Sequence, residues 1–489
     1  MLSTSTNPSR YRSPFSGRHV SVPEYKRPKN ELDVKKWLDN LPVYHAQQSA
    51  RMSRLSRSSS SNSSSSSSSS SSISKSLSLM TDPWQRTLAE ISLPLQDELK
   101  TTESPIPYIP QQLLFRPPPF VPSTQSHSAC IPSGDKTLDT TEDAHGVITT
   151  LNLVCHVVAD GHGGLNGRVL ARLATEMVTE FTNQHDCVLP ALSQLQLEAL
   201  VAQLYDDINE ACRKKLCELV PGSSIDANGV VRDWYGSAVR GGSTLSTVWT
   251  FINKDGERVI HAANVGDSDI VLVKQDKQTR EVSYEHLSTD HGPSNQDEYV
   301  RIQLDPKYTQ KLLQCYKQCD PLDKRTFQYP RIFTPLPTVQ QEDQFGNRCD
   351  HRDQKFVKNP WGNNLTPATV RYDPSAYANS PPGARDGVQI AMVRMIGDFN
   401  AQQYGAICKP SQRTITVNTN TSDHLLFTGS DGVWDCWKYD EFAEQAMRHI
   451  SNSPLTEGVD NLFTTTVNKA KTTFGIKGFD DITLTGMRI

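Results

Sequence analysis

The sequence predicts an α+β domain with antiparallel sheet in the middle and helices on the outer faces, behind a long N-terminal tail. Three observations predict it. Helical and strand-like apolar periods succeed one another in blocks from about residue 125, turn signals join neighbouring strand-like runs into hairpins, and the composition changes near residue 124. The chain has 489 residues, of which 36% are hydrophobic, so one folded domain with a poorly ordered tail fits better than several domains.

The tail comes first. Residues 58–72 are serine except for Asn62, and residues 104–122 are proline-rich, ending in Arg116-Pro117-Pro118-Pro119-Phe120. Neither stretch has enough apolar side chains to offset the entropy of ordering, so residues 1–124 are expected to be mostly disordered. Within them, Glu31 to Leu41 and Trp84 to Leu99 carry apolar residues at helical spacing and read as transient helices or docking segments. The first residues hold Arg10, Arg12 and Arg18 without an acid, the charge pattern of an organellar transit peptide but without its apolar face. No apolar run is long enough for a membrane span or a secretory signal, so a cytoplasmic or nuclear protein is the default. The net charge of −4 offers no global basic footprint for nucleic acid.

The elements of the folded part follow in order. Leu153 to Val158 is an apolar run that reads as a buried strand, and Arg168 to Phe181 is the first amphipathic helix, with Val169, Leu170, Leu173, Met177, Val178 and Phe181 on one face. Leu195 to Val220 repeats that pattern as a second helix. Thr244 to Phe251 and Arg258 to Val265 form a hairpin across Asn253-Lys254-Asp255-Gly256, where Asp-Gly is the turn signal. Ile270 to Val273 continues the meander toward Val282, and helical periods return at Glu441 to Ile450 and Val459 to Phe474. The ten cysteines lack paired secretory spacing and read as reduced thiols. Cys315 and Cys319 with Cys349 and His351 would be a conceivable zinc set, but their spacing matches no common zinc pattern.

Chemistry is concentrated at strand ends. Asp160-Gly161-His162-Gly163-Gly164 sets a carboxylate, an unobstructed backbone and an imidazole directly after the buried strand. Hard divalent cations take oxygen ligands, and an Asp beside glycine offers both its carboxylate and a neighbouring carbonyl. Acidic strand ends recur at Glu142-Asp143, Gly266-Asp267-Ser268, Gly397-Asp398, Ser430-Asp431-Gly432 and Asp480-Asp481, which predicts a carboxylate cage assembled from distant segments.

In this order, Glu142-Asp143-Ala144-His145, Asp160-Gly161-His162-Gly163-Gly164, Gly242-Ser243-Thr244, Asn264-Val265-Gly266-Asp267-Ser268, Leu287-Ser288-Thr289-Asp290-His291 with Glu298 and Arg301-Ile302, Arg394 to Phe399, Ser430-Asp431-Gly432-Val433-Trp434-Asp435 and Asp480-Asp481-Ile482-Thr483 resemble the motifs of the metal-dependent protein phosphatase 2C family. The resemblance covers residues 125–489. It implies a four-layer α/β/β/α sandwich of two antiparallel sheets flanked by helix pairs, with a site for two divalent cations, Mg²⁺ or Mn²⁺, in a cleft at one end. By match to those motifs, Asp160 would bridge the ions, the Gly161 carbonyl and Asp143 would complete one, and Asp431 and Asp480 would hold the other. Asp267 with Asp431 matches a weaker third position, Glu142 a holder of metal-bound water, and His162 the general acid. The implied reaction is hydrolysis of phosphoserine and phosphothreonine by a water held between the two ions. The implied partner is a phosphorylated protein, acted on by a monomeric chain without nucleic acid or membrane.

Two departures bear on activity. Leu138 stands where the family carries an arginine that grips the substrate phosphate, and Lys136 is the nearest cation that would stand in for it. From Arg301-Ile302 to Arg394 about ninety residues intervene where the family has a short flap, placing an enlarged insertion at about 303–390 beside the site. Asp269 also replaces a frequent arginine. The missing arginine keeps open a pseudophosphatase that binds without turnover, and the same ligands would serve a hydrolase of small phosphate esters.

Overall fold

The computed structural model describes residues 126–133, 140–316, 331–335, 356–358, 376–451, 453–475 and 478–489. The chain divides into Met1–Met80 and Thr81–Ile489, and every described residue lies in the second unit. The expected helices at Glu31 to Leu41 and Trp84 to Leu99, and the tail as a whole to residue 124, lie outside the described residues.

Two five-stranded antiparallel sheets form the centre. One runs Ser126–Ile131, Ile482–Arg488, Ser422–Gly429, Asp269–Asp276, Val282–His286. The other runs Ser411–Val417, Arg258–Val265, Leu245–Ile252, Leu153–Ala159, Ala144–Thr149. The alternation of side chains along a strand explains how the second sheet packs on both faces. Leu153, Cys155, Val157 and Ala159 point to the helices Leu165–Gln184 and Gln194–Leu219, whose Leu170, Val178, Phe181, Leu200, Leu204 and Ile208 complete one apolar cluster. Val154, Val248, Ile260 and Ala262 point the other way and meet Ile270, Leu272, Leu426 and Met487 of the first sheet. The outer face of that sheet, with Val271, Val273, Phe427, Ile482 and Leu484, is covered by Tyr439–Ile450 and Leu455–Phe474 through Phe442, Met447, Leu462 and Val467. Each such fully buried aliphatic or aromatic side chain contributes about 1.5–3 kcal/mol.

Local chemistry sets the boundaries. Ser193 begins the second helix as a capping box, its hydroxyl accepting from the Gln196 N–H while the Gln196 side chain accepts from the Ser193 N–H. The hairpin at Asn253 to Gly256 is closed by Gly256, at φ 80°, where a side chain would be strained. The expectation of antiparallel sheet with helices outside is met, and the element ends fall within a few residues of those read from periodicity.

The segment read as an insertion contains strands of its own among the described residues. Leu313–Tyr316, Ala376–Asn379 and Gln389–Ile390 form a three-stranded sheet, and Phe333–Pro335 pairs with Phe356–Lys358. Both of its ends are pinned. At the start, buried Glu298 accepts from Arg301 Nε at 2.8 Å and from Arg394 Nε at 2.9 Å, while Arg301 also donates to the carbonyls of Gly405 and Val393. At the far end, Arg232 holds Asp386 through two N–H···O bonds of 2.8 and 2.9 Å, a paired geometry that lysine cannot copy. No helix among the described residues is long and apolar enough to cross a membrane.

Polar groups also bridge the two sheets. The buried His156 imidazole bonds Thr485 Oγ1 at 3.0 Å and Ser126 Oγ at 3.2 Å. Burial pushes its pKa down to about 4, and that of His261 likewise to about 4. Both are therefore neutral when folded and take up protons once unfolded, near the ordinary histidine value of about 6.5. The stability they allow is complete above that pH and declines as pH falls toward 4, at about 1.4 kcal/mol per pH unit for each histidine. Chemical denaturation at pH 7, 6 and 5 is expected to show this decline, and to show a shallower one in His156→Gln. Parallel pH dependences in the two proteins would exclude His156 as a source.

Candidate active site

The acidic residues predicted from the motifs come together because both sheets present strand ends at the same edge. Asp160 follows Leu153–Ala159, Asp143 precedes Ala144–Thr149, Asp267 lies between Arg258–Val265 and Asp269–Asp276, Asp431 follows Ser422–Gly429, and Asp480 precedes Ile482–Arg488. Main-chain bonds fix the Asp160 loop. Thr244 Oγ1 accepts the Asp160 N–H at 2.9 Å, the Asp160 carbonyl accepts the Thr244 N–H at 2.8 Å, and Gly161–His162 pairs with Gly242–Ser243. Gly161 is required by proximity: a Cβ there would come 2.6 Å from the Glu142 carbonyl oxygen and 2.7 Å from the Gly167 backbone.

The result is a cavity of about 310 Å³ lined by Glu142, Asp160, Gly161, His162, Asp267, Asp431, Asp480 and Asp481, with Gln389 to Met392 from the end of the insertion on its lip. Asp143 is buried beside it. Burial, together with the charges of Asp143, Asp431, Asp480 and Asp267, holds the Asp160 carboxyl well above the usual carboxylate range. Burial and the nearby Asp481 and Asp480 push Asp143 up to about 7, against a 2.6 Å hydrogen bond that Thr483 Oγ1 donates to its Oδ2.

Asp481, next to Asp480 in sequence, has a separate task. Its carboxylate accepts from the N–H groups of Ser133 and Glu142 at 2.6 and 2.9 Å and from Thr141 Oγ1 at 2.9 Å, tying the Glu142-Asp143 turn to the last strand. Burial opposes its charge, but these donors prevail and keep its pKa below the ordinary value.

His162 is held by a partner the motif reading did not assign. Its Nε2 hydrogen-bonds Asp398 Oδ2, and Asp398 sits at φ 43°, in the left-handed region, at the turn after Ile396–Gly397. Burial works against a charged imidazole, yet the Asp398 charge and hydrogen bond, with Asp267 and Glu142, raise its pKa above the ordinary value. Gly242 makes the contact sterically feasible, since a Cβ would lie 2.5 Å from Asp398 Oδ2 and 2.8 Å from His162 Nε2.

The donor set suits a hard divalent cation. It is all oxygen apart from His162, no lysine or arginine lines the cavity, and Asp143 Oδ1 is buried without a hydrogen bond among the described residues. Among those residues no three acidic, histidine or cysteine side chains form a ready-made ion cage by themselves. A cation here would therefore complete its shell with the Gly161 carbonyl and water, as Mg²⁺ commonly does.

Lys136 and Leu138 lie outside the described residues. So do Cys319, Cys349 and His351 of the conceivable zinc set, while Cys315 is buried in a strand of the insertion; the eight described cysteines are all free. Asp269 is accounted for by packing: buried, it accepts hydrogen bonds from Ser288 Oγ at 2.9 Å and from the Tyr439 hydroxyl, joining the sheet edge to the third long helix. Sequence reasoning missed the roles of Asp398 and Asp481, and the identity of the lip residues. For Asp398 a signal existed, since its Gly-Asp turn stands among the recurring strand-end acids.

A family model described as protein phosphatase 2C matches residues 197–311 and 383–472, leaving out most of the insertion. A probable protein phosphatase 2C 61 of Arabidopsis thaliana is 38% identical over 64 residues, 13% of this chain and 19% of that protein, so the chain spans about a fifth of the length of this curated relative. A serine-threonine phosphatase 2C from Toxoplasma gondii superposes with a TM-score of 0.46 at 15% identity, covering 76% of this chain and 96% of that one. The catalytic domain of the serine threonine protein phosphatase PstP, solved with two manganese ions, gives a TM-score of 0.37 at 13% identity over 74% and 97% of the two chains.

Because Asp160 is held among like charges, Asp160→Asn is expected to raise the thermal midpoint of the metal-free protein, by about 2 °C or more. Mn²⁺ is expected to raise the midpoint of the unaltered chain by mass action and to lose that effect in the variant. A differential scanning calorimetry comparison with and without MnCl₂ checks both; an Mn²⁺ shift retained in Asp160→Asn would remove Asp160 from the ion site.

Proposed function

We propose that this chain, whose residues 197–311 and 383–472 match the protein phosphatase 2C family model, is a divalent-metal-dependent phosphatase acting on phosphoserine and phosphothreonine in proteins. The observation that carries this reading is the convergence of Asp160, Asp267, Asp431 and Asp480 from four strand ends on one cavity, with Asp143 buried beside it. Such a cluster is costly without counter-charge, and a structural role would not require it.

In this reading Asp160 would serve both cations, Asp143 and the Gly161 carbonyl would hold one, and Asp431 and Asp480 the other; Asp267 with Asp431 would contribute to a weaker third. When bound, Mg²⁺ or Mn²⁺ neutralises the phosphate dianion and lowers the pKa of the attacking water. Glu142 orients water at the rim of the cavity. His162 donates a proton to the departing serine or threonine oxygen, and the Asp398 carboxylate favours the protonated imidazole and aims it. The lip residues Gln389 to Met392 meet the polypeptide next to the phosphorylated side chain. With Leu138 in place of the family's arginine, Lys136 is assigned to the substrate phosphate.

A second reading, a pseudophosphatase that binds phosphorylated protein without turnover, is favoured by one observation: no lysine or arginine lines the cavity among the described residues. Turnover separates the two. The unaltered chain is expected to release phosphate from a phosphothreonine peptide with Mn²⁺ or Mg²⁺, and Asp160→Asn to abolish it. No release from either protein, with calorimetric Mn²⁺ binding intact, would establish the pseudophosphatase.

The role of His162 has its own signature. His162→Gln is expected to lower kcat on the phosphothreonine peptide by about 10²-fold, and by much less on p-nitrophenyl phosphate, whose leaving group departs without a proton. Equal losses on the two substrates would place His162 outside proton donation.

A further inference from the structure

A second cavity, of about 580 Å³, lies behind the turn that carries Asp398, lined among others by Arg213, Lys307, Tyr308, Phe399, Gln402 and Lys409. Its size is that of pockets which take small organic ligands. The phosphatase reading makes no use of it.

The floor is held in place before any ligand arrives. Phe399 is buried with the Arg213 guanidinium carbon 4.5 Å from its ring centroid. Gln402 Nε2 donates to Asn209 Oδ1 at 3.1 Å and to the Gly397 carbonyl at 2.8 Å, and Asn209 Oδ1 accepts the Gly397 N–H at 2.9 Å. A wall of this kind costs little to order on binding.

The charges select the ligand. Glu210 pairs with Arg213 and offsets it, which leaves the ammonium groups of Lys307 and Lys409 as the cations of the lining. The one acid of that lining among the described residues, Asp206, accepts from the Cys408 thiol at 3.2 Å. Lys307 Nζ lies over the Tyr308 ring, 5.2 Å from its centroid, so an ammonium group and an aromatic ring stand together in the lining. Two ammonium groups suit a single phosphate, the carboxylate of Asp206 disfavours a polyphosphate, and the Tyr308 ring offers a stacking surface for a planar body.

We propose that this cavity binds a small phosphomonoester carried on an aromatic ring system, with Lys307 and Lys409 on the phosphate and Tyr308 against the ring. The site is distinct from the acidic cavity, and its occupancy does not depend on turnover there.

A mononucleotide is the probe. Titration calorimetry on the full chain bearing Asp160→Asn, chosen to suppress hydrolysis of the probe, compares AMP with adenosine and with inorganic phosphate. AMP is expected to bind at least about tenfold more tightly than either half alone. Lys307→Ala with Lys409→Ala is expected to remove that advantage, and Tyr308→Ala to weaken AMP while leaving phosphate unchanged. Both lysines end near the surface, and an unchanged thermal midpoint confirms folding of the double variant. Absence of AMP binding, AMP no tighter than adenosine, or AMP affinity unmoved by either variant would overturn the proposal.

Discussion

Mutual repulsion among carboxylates is the constraint around which the working end of this molecule is built. Asp143, Asp160, Asp431 and Asp480 stay together because each is anchored through the backbone of a strand that contributes side chains to the apolar clusters of the sandwich. The hydrophobic energy of the sandwich, spread over many side chains, holds charges in a place they would not choose. Asp481 shows the alternative arrangement of the same group: furnished with three N–H and O–H donors, it is an ordinary ionised carboxylate and serves as a staple. Two adjacent aspartates thus divide into one that ties the first turn to the last strand and one that lines the cavity.

Antiparallel topology makes the assembly economical. Strands that alternate in direction return chain ends to the same edge, so acids far apart in sequence reach one cavity by stopping short of their next strand. The same edge receives the Gly161–His162, Gly242–Ser243 and Ile396–Gly397 pairings, which bring Asp398 to His162 across a glycine. Removing the side chain at position 242 is what allows an imidazole and a carboxylate to meet there.

Much of this was legible in the sequence, for identifiable reasons. The long helices carried their apolar faces at the helical period, and Asn253 to Gly256 announced its hairpin; the six acidic or glycine positions named for the site, with His162, line the cavity, and Asp143 is buried beside them. What escaped were relations between side chains remote in sequence. The Asp398–His162 bond spans the insertion, the Asp481 staple links the first turn to the last strand, and Asp269 reads as a charge anomaly until Ser288 and Tyr439 are seen around it. Periodicity reports which face of an element is buried. It carries no information on which polar partner a residue finds there.

The two clamps on the insertion have a bearing on how such a chain can change over generations. Glu298 with Arg301 and Arg394 at one end, and Arg232 with Asp386 at the other, secure the segments that adjoin the cavity independently of the span between them. Loop-closure entropy grows only logarithmically, so doubling the length of that span costs about 0.6 kcal/mol. Lineages can therefore lengthen, shorten or replace the intervening stretch as a cassette while the lip at Gln389 to Met392 stays in register with the carboxylates, a separation of evolvable sequence from fixed geometry written into three ion pairs.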